Sequence, residues 1–141
     1  MQLTKLSSEL FDVISVYRSK DGNLKILADQ ILNITTPNKT TVVCGDVNVC
    51  LRKSKQNLLS NQLRSDGFSQ LVEEATHIRG GIIDHVYFKQ GVSKFAVDVS
   101  LYSPYYTAFD HDALLVTLEE VCEEAETCIE TRHAEGMYYN I

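Results

Sequence analysis

The sequence predicts an α/β chain of the α+β kind, with strands and helices sharing mixed sheets. Three observations predict it. Short apolar runs rich in β-branched residues alternate with segments of helical period up to about residue 90, and beyond that point strands follow one another directly. The polar residues with chemical potential sit where those strands end, which is where sheet proteins place their sites. Length and composition agree: 141 residues, 44% hydrophobic and 23% charged, describe one globular domain or half of a larger one.

The elements follow in order. Phe11 to Tyr17, FDVISVY, is apolar and β-branched and reads as a buried strand. Asp21-Gly22-Asn23 supplies turn and cap chemistry, after which Leu24, Leu27, Ala28, Ile31 and Leu32 recur at helical spacing until Pro37. Thr41 to Cys44 is a second buried strand, ended by Gly45. A shorter helix is expected over Lys55 to Arg64, with Leu58, Leu59 and Leu63 inward and Asp66-Gly67 as its stop. Phe68 to Val72 and Ile82 to Phe88 read as strands. Lys94 to Leu101 alternates, with Phe95, Val97, Val99 and Leu101 on one face. Ala113 to Leu118 completes the strands. Leu118, Val121, Cys122, Ala125 and Ile129 then predict an acidic amphipathic helix, so the expected division is a body over 1–118 and a tail over 119–141.

Charge is unevenly placed. Residues 118–141 carry seven acids against one base, which accounts for the whole net charge of −6 and leaves twelve of each in residues 1–117. A body that grips nucleic acid by itself usually shows a basic excess, because phosphate contacts dominate affinity. No apolar run approaches the ~18 residues of a membrane span, and the first fifteen residues lack the pattern of a secretion signal. Cys44, Cys50, Cys122 and Cys128 form two C-x5-C pairs that match no common zinc or redox spacing, and read as free thiols in a reducing, intracellular compartment.

Three acidic clusters interrupt apolar strands. In Val42-Val43-Cys44-Gly45-Asp46-Val47-Asn48 a glycine after a buried strand allows a tight turn that presents Asp46 and Asn48 at the strand tip. Taken alone, this reads as an Asx-turn. In Gly80-Gly81-Ile82-Ile83-Asp84-His85, alternation puts the Asp84 carboxylate on the apolar face of Ile82, Val86 and Phe88, a costly position unless it is paired. Phe109-Asp110-His111-Asp112 precedes the last strand, and on an extended chain Asp110 and His111 point oppositely. Together Asp46, Asn48, Asp84, Asp110 and His111 offer metal-binding oxygens, a base and a carboxylate to orient that base, the inventory of metal-assisted phosphate-ester hydrolysis.

The order VYRSKDGN, VVCGDVN, ATHIRGGIIDHVYF, FDHDALLVTL resembles the endonuclease/exonuclease/phosphatase superfamily over roughly residues 11 to 118, most of all the endonuclease domains of animal mobile elements. The resemblance implies part of a four-layer α/β/β/α sandwich and Mg²⁺- or Mn²⁺-dependent cleavage of phosphodiesters, with DNA as substrate and a nuclear location. It implies that Asp46 activates water or manages the leaving-group proton, that Asn48 and Tyr17 hold the scissile phosphate, and that His111 stabilises the phosphorane or acts as base. Asp84 would orient His111, and Asp110 together with Asp46 would approach the metal. Phe109 stands where the family's last motif carries serine, and the family's earliest elements, with an Asn and the metal-binding Glu, lie upstream of the Tyr17-Arg18 strand. The expectation is therefore a chain that is weakly active or inactive alone. A small-phosphoester phosphatase of the same superfamily, and a non-catalytic relic whose acidic C-terminal helix binds a protein partner, are the alternatives.

Other residues carry weaker signals. His77 reads equally as a substrate contact or a loop histidine, and His85 as a structural or surface one. His133 lies in the tail, and Tyr102, Tyr105 and Tyr106 suit a packed loop better than base stacking.

Overall fold

The protein's structure, a computed structural model, describes residues 1–54, 57–103 and 109–122. It opens with a hairpin in which β1 (Gln2–Ser7) pairs antiparallel with β2 (Phe11–Tyr17). Ser8 closes the turn: its amide donates to the Phe11 carbonyl, and its Oγ accepts from the amides of Leu10 and Phe11. The sequence reading places no strand before Phe11. Gln2, Thr4, Lys5 and Ser7 are polar and Leu3 and Leu6 fall on opposite faces, so β1 has no apolar face of its own and is specified by its partner.

Asn23 then caps α1 (Leu24–Ile34), its side chain accepting from the amides of Lys25 and Ile26, and Leu27, Ala28 and Ile31 turn inward. β3 (Thr40–Asp46) runs parallel to β2, and Asn57 caps α2 (Leu58–Ser65). The expected strand over Phe68 to Val72 shrinks to β4 (Ser69–Gln70), while β5 (Asp84–Lys89) pairs antiparallel with both β3 and β4. Ile82 and Ile83 lie outside the strand because their carbonyls accept from the amides of Leu51 and Val47, in the loop that follows β3. β6 (Phe95–Tyr102) and β7 (Ala113–Glu120) form a second, two-stranded antiparallel sheet.

The fold is thus α+β: a mixed five-stranded sheet of order β1-β2-β3-β5-β4, a two-stranded sheet, and two helices among the described residues. α1 and α2 cover one face of the large sheet, where Ile14, Val16, Val43 and Tyr87 pack with Leu27, Ile31, Leu59 and Leu63. The opposite face, with Val42, Cys44, Val86 and Phe88, meets Val99, Leu101, Leu114, Val116 and Leu118 of the second sheet. Alternation along β3 and β5 produces both faces, since neighbouring residues point to opposite sides.

One expectation is corrected at the end of the chain. Leu118 lies in β7 as the expected strand places it, and Glu119 and Glu120 extend that strand instead of beginning an amphipathic helix. Leu118 sits opposite Val97 across the hairpin, and that cross-strand contact overrides the helical spacing of the apolar residues. Val121, whose amide donates to the Lys94 carbonyl, and Cys122 follow the strand without helical structure. The expected helix from residue 123 onward, with its proposed partner surface, lies outside the described residues, as do Lys55, Tyr105, Tyr106 and His133.

The far end of the large sheet is held by charge. Asp12 is fully buried and receives Lys5 at 2.8 Å, Thr36 Oγ1 at 2.6 Å and the Ser7 hydroxyl. Burial alone would raise its pKa, but the hydrogen bonds from Lys5, Ser7 and Thr36 outweigh it and hold the carboxyl far below the usual range.

Candidate functional site

The site lies at the C-terminal end of β3, on the face shared with the second sheet. Register places Tyr17 beside Asp46 across the parallel pair, and Asp46 beside Asp84 across the antiparallel one. Three functional candidates from three segments therefore stand in one row.

Gly45 makes that row possible. Its φ is +143°, and a Cβ there would lie 1.9 Å from the Val16 carbonyl oxygen. Only glycine lets the end of β3 come this close to β2. Past it, Asn48 adopts a left-handed φ of 54°, and its amide donates to Asp46 Oδ1 at 2.9 Å. This is the Asx-turn, and it also builds the site. The Asn48 side-chain amide donates to the Arg18 carbonyl at 2.8 Å and to Asp46 Oδ2 at 3.2 Å, so one of its hydrogens anchors Asn48 to the end of β2 and the other fixes Asp46. Arg18 is buried and donates to the carbonyls of Gly22, Val47 and Lys20, which clamps the loop from beneath.

The facing loop arrives through Thr76. This residue is fully buried, and its Oγ1 accepts from the amides of Ile83 and Asp84 at 3.2 and 3.1 Å. Its carbonyl accepts from the Asp112 amide, and the Asp110 carbonyl accepts from the Ile78 amide, both at 2.8 Å. These bonds form an isolated antiparallel bridge between His77 and His111. A bend at Asp110 removes the opposition expected of adjacent residues, so Asp110 and His111 serve one region together.

His111 Nδ1 donates to Asp84 Oδ2 at 2.8 Å. The Asp84 carboxylate, on the face of Val86 and Phe88, is thereby paired as its burial demands. Nε2 of His111 remains on the open side, 3.9 Å from Asp110 Oδ1. Burial alone would lower the His111 pKa, but the Asp84 hydrogen bond and the charges of Asp84, Asp46 and Asp110 raise it above its ordinary value. Asp46 is also raised, first by burial and then by the charge of Asp84, against the pull of the Asn48 amide and of both histidines.

Ligand atoms of Asp46, Asp84 and His111 lie within 4.8 Å of one another, and so do those of His77, Asp110 and His111. Asp46 and Asp110 thus fall in two groups that share His111. Mg²⁺ takes one or two carboxylates and keeps several waters. Asp84 is locked to His111 and Asp46 already accepts two N–H bonds, so a sparse, hydrated set is what the chain offers such an ion. The rim is open, with Tyr17 48%, Phe109 63% and Ile78 76% exposed.

Sequence reasoning left His77 open and missed Thr76. Both act through bonds to loops far along the chain, and no local pattern announces that. His85 proves structural: fully buried on the helix side, it bonds the Val49 carbonyl at 2.8 Å and the Tyr87 hydroxyl at 3.0 Å, so it braces the loop behind Asn48. Tyr87 passes the network to Ser60 at 2.8 Å, and burial pushes its hydroxyl pKa up to about 12.

Comparison with protein-family models, with curated proteins and with solved structures found no match to this chain. No helix among the described residues is long and apolar enough to cross a membrane.

Proposed function

We propose that this chain is a slow, divalent-metal-dependent phosphodiesterase of endonuclease type acting on DNA. The observation that carries the reading is the Asp84–His111 pair at 2.8 Å, with Asp46 beside it and Asn48 tied to Asp46. The raised pKa favours the protonated form of His111, in which Nε2–H faces the open side as a donor for a phosphoryl oxygen, so that charge developing in the transition state is met by a group already in place. Asp46, held from both oxygens by Asn48, accepts the proton of the attacking water, and its raised pKa strengthens it as a base. Tyr17, half-exposed at the end of the row, contacts the phosphate flank. Asp46 and Asp110 are the carboxylates that would face Mg²⁺ or Mn²⁺, and the bound ion supplies charge neutralisation at the phosphate oxygens. The open rim suits a polymer better than a small phosphoester. Few carboxylate oxygens are free for a hard cation, and this supports a low rate.

The test is nicking of supercoiled plasmid in Mg²⁺, with inositol phosphate turnover measured beside it. Slow nicking should appear and fall at least about 100-fold in both Asp46→Ala and His111→Ala. Nicking no greater than that of the variants sinks the proposal, and preferential turnover of inositol phosphates replaces it with the phosphatase reading.

A further inference from the structure

We propose that His77, His111 and Asp110 form a binding site for a first-row transition metal of the Zn²⁺ class, separate from the Asp46 side of the cleft. The β-bridge between His77 and His111 fixes two imidazoles on facing segments, with ring centroids 5.0 Å apart and planes at 88°. Asp110 lies between them: its Oδ2 is 3.5 Å from His77 Nε2 and its Oδ1 is 3.9 Å from His111 Nε2. Ligand atoms of all three fall within 4.8 Å of one another, close enough that a small rotation of side chains brings them onto one ion. Two imidazoles and one carboxylate, open on the fourth side, match the donor type and number of a three-ligand zinc site. Imidazole nitrogen selects for Zn²⁺ and Co²⁺ over Mg²⁺, whose preferred ligands are oxygens.

The surroundings support the assignment independently of the cluster. His111 Nδ1 donates to Asp84 at 2.8 Å, which fixes the tautomer with the Nε2 lone pair free when the ring is neutral. Metal-binding histidines characteristically carry this carboxylate partner on the opposite nitrogen. His77 Nδ1 accepts from the Arg79 amide at 3.1 Å, so binding at Nε2 moves the ring proton to Nδ1 and releases that amide. The amide bond is on the surface and water can replace it. Backbone hydrogen bonds from Ile78 to Asp110 and from Asp112 to Thr76, both 2.8 Å, hold the two segments in register with or without an ion.

The inference stands without the phosphodiesterase reading, although the two meet at His111 and Asp110: an ion held here removes His111 Nε2 from any phosphate and Asp110 from a Mg²⁺ site. Titration of the whole chain with Co²⁺ reads the site directly. A saturable visible absorption band should appear, be displaced by Zn²⁺ but not by Mg²⁺, and be lost in His77→Ala, His77→Gln and His111→Ala. Asp84→Asn should weaken the apparent affinity by about 10- to 100-fold. Circular dichroism of each variant separates loss of ligand from loss of fold. Absence of a saturable band overturns the proposal, as does a band that persists in both folded His77 variants. Survival of a thiolate charge-transfer band in those variants places the metal on cysteine and overturns it equally.

Discussion

Asp84 and His111 are 27 residues apart, yet their 2.8 Å hydrogen bond decides the character of the site. It makes a carboxylate tolerable on an apolar face and at the same time raises the affinity of the imidazole for its proton. A pH dependence follows from the directions of the shifts. The proposed mechanism uses Asp46 ionised and His111 protonated, so under it the rate should rise through a carboxylate pKa above 3.8 and fall through an imidazole pKa above 6.5. Asp84→Asn removes the charge and the strong acceptor that raise His111. The falling limb should then move to lower pH and the plateau rate drop by about tenfold or more, as read from a pH–rate profile of nicking. An unmoved falling limb would show that His111 is not the group being titrated.

At the scale of elements, the end of β3 is the demanding piece. β2 and β3 run parallel and must converge there to align Tyr17 with Asp46, and the gap at Gly45 has no room for a Cβ. Gly45→Ala should cost about 3 kcal/mol or more, since it combines an unfavourable φ with a clash against the Val16 carbonyl. Urea denaturation measures that loss. If the variant still folds, the displaced turn should release the Asn48–Asp46 bonds and lower activity beyond what stability alone explains. The two short helices act on the other face. Their N-caps, Asn23 and Asn57, and the buried chain from His85 through Tyr87 to Ser60 hold the sheet and the loop behind Asn48 without touching the cleft.

The whole molecule has two unequal cores. Leu27, Ile31, Leu59 and Leu63 are fully buried between helices and sheet, whereas Val99, Leu101, Leu114, Val116 and Leu118 are only partly covered where the two-stranded sheet meets the large one. Their energetic weight should differ accordingly. Leu27→Ala should cost about 3 kcal/mol and Val99→Ala about 1 kcal/mol or less by denaturant unfolding, because a half-exposed side chain has already kept part of its contact with water. Similar costs at the two positions would mean that the second sheet is as tightly closed as the first. The site straddles these layers: Asp46 and Asp84 belong to the large sheet, while Asp110 and His111 lie on the approach to β7.

The sequence by itself determined the α+β class, the two helices and most of the strands, because burial of a sheet face or helix stripe writes a period of 2 or 3.6 into the residues. It also singled out Asp46, Asn48, Asp84, Asp110 and His111, since polar groups at the ends of apolar strands stand out from their context, while Tyr17 entered only through the family resemblance. Whether they hydrolyse phosphodiesters is the question the nicking assay answers. Only the tertiary structure decided which of them meet. The strand register set Tyr17, Asp46 and Asp84 in one row, the Asp110 bend turned two adjacent residues to one side, and the bridge from Thr76 brought His77 to His111. It alone assigned β1, whose polar face is specified by Asp12 and β2, and gave Glu119 and Glu120, expected in the helical tail, to a strand. Those outcomes rest on contacts between distant segments, and a local pattern carries no record of them.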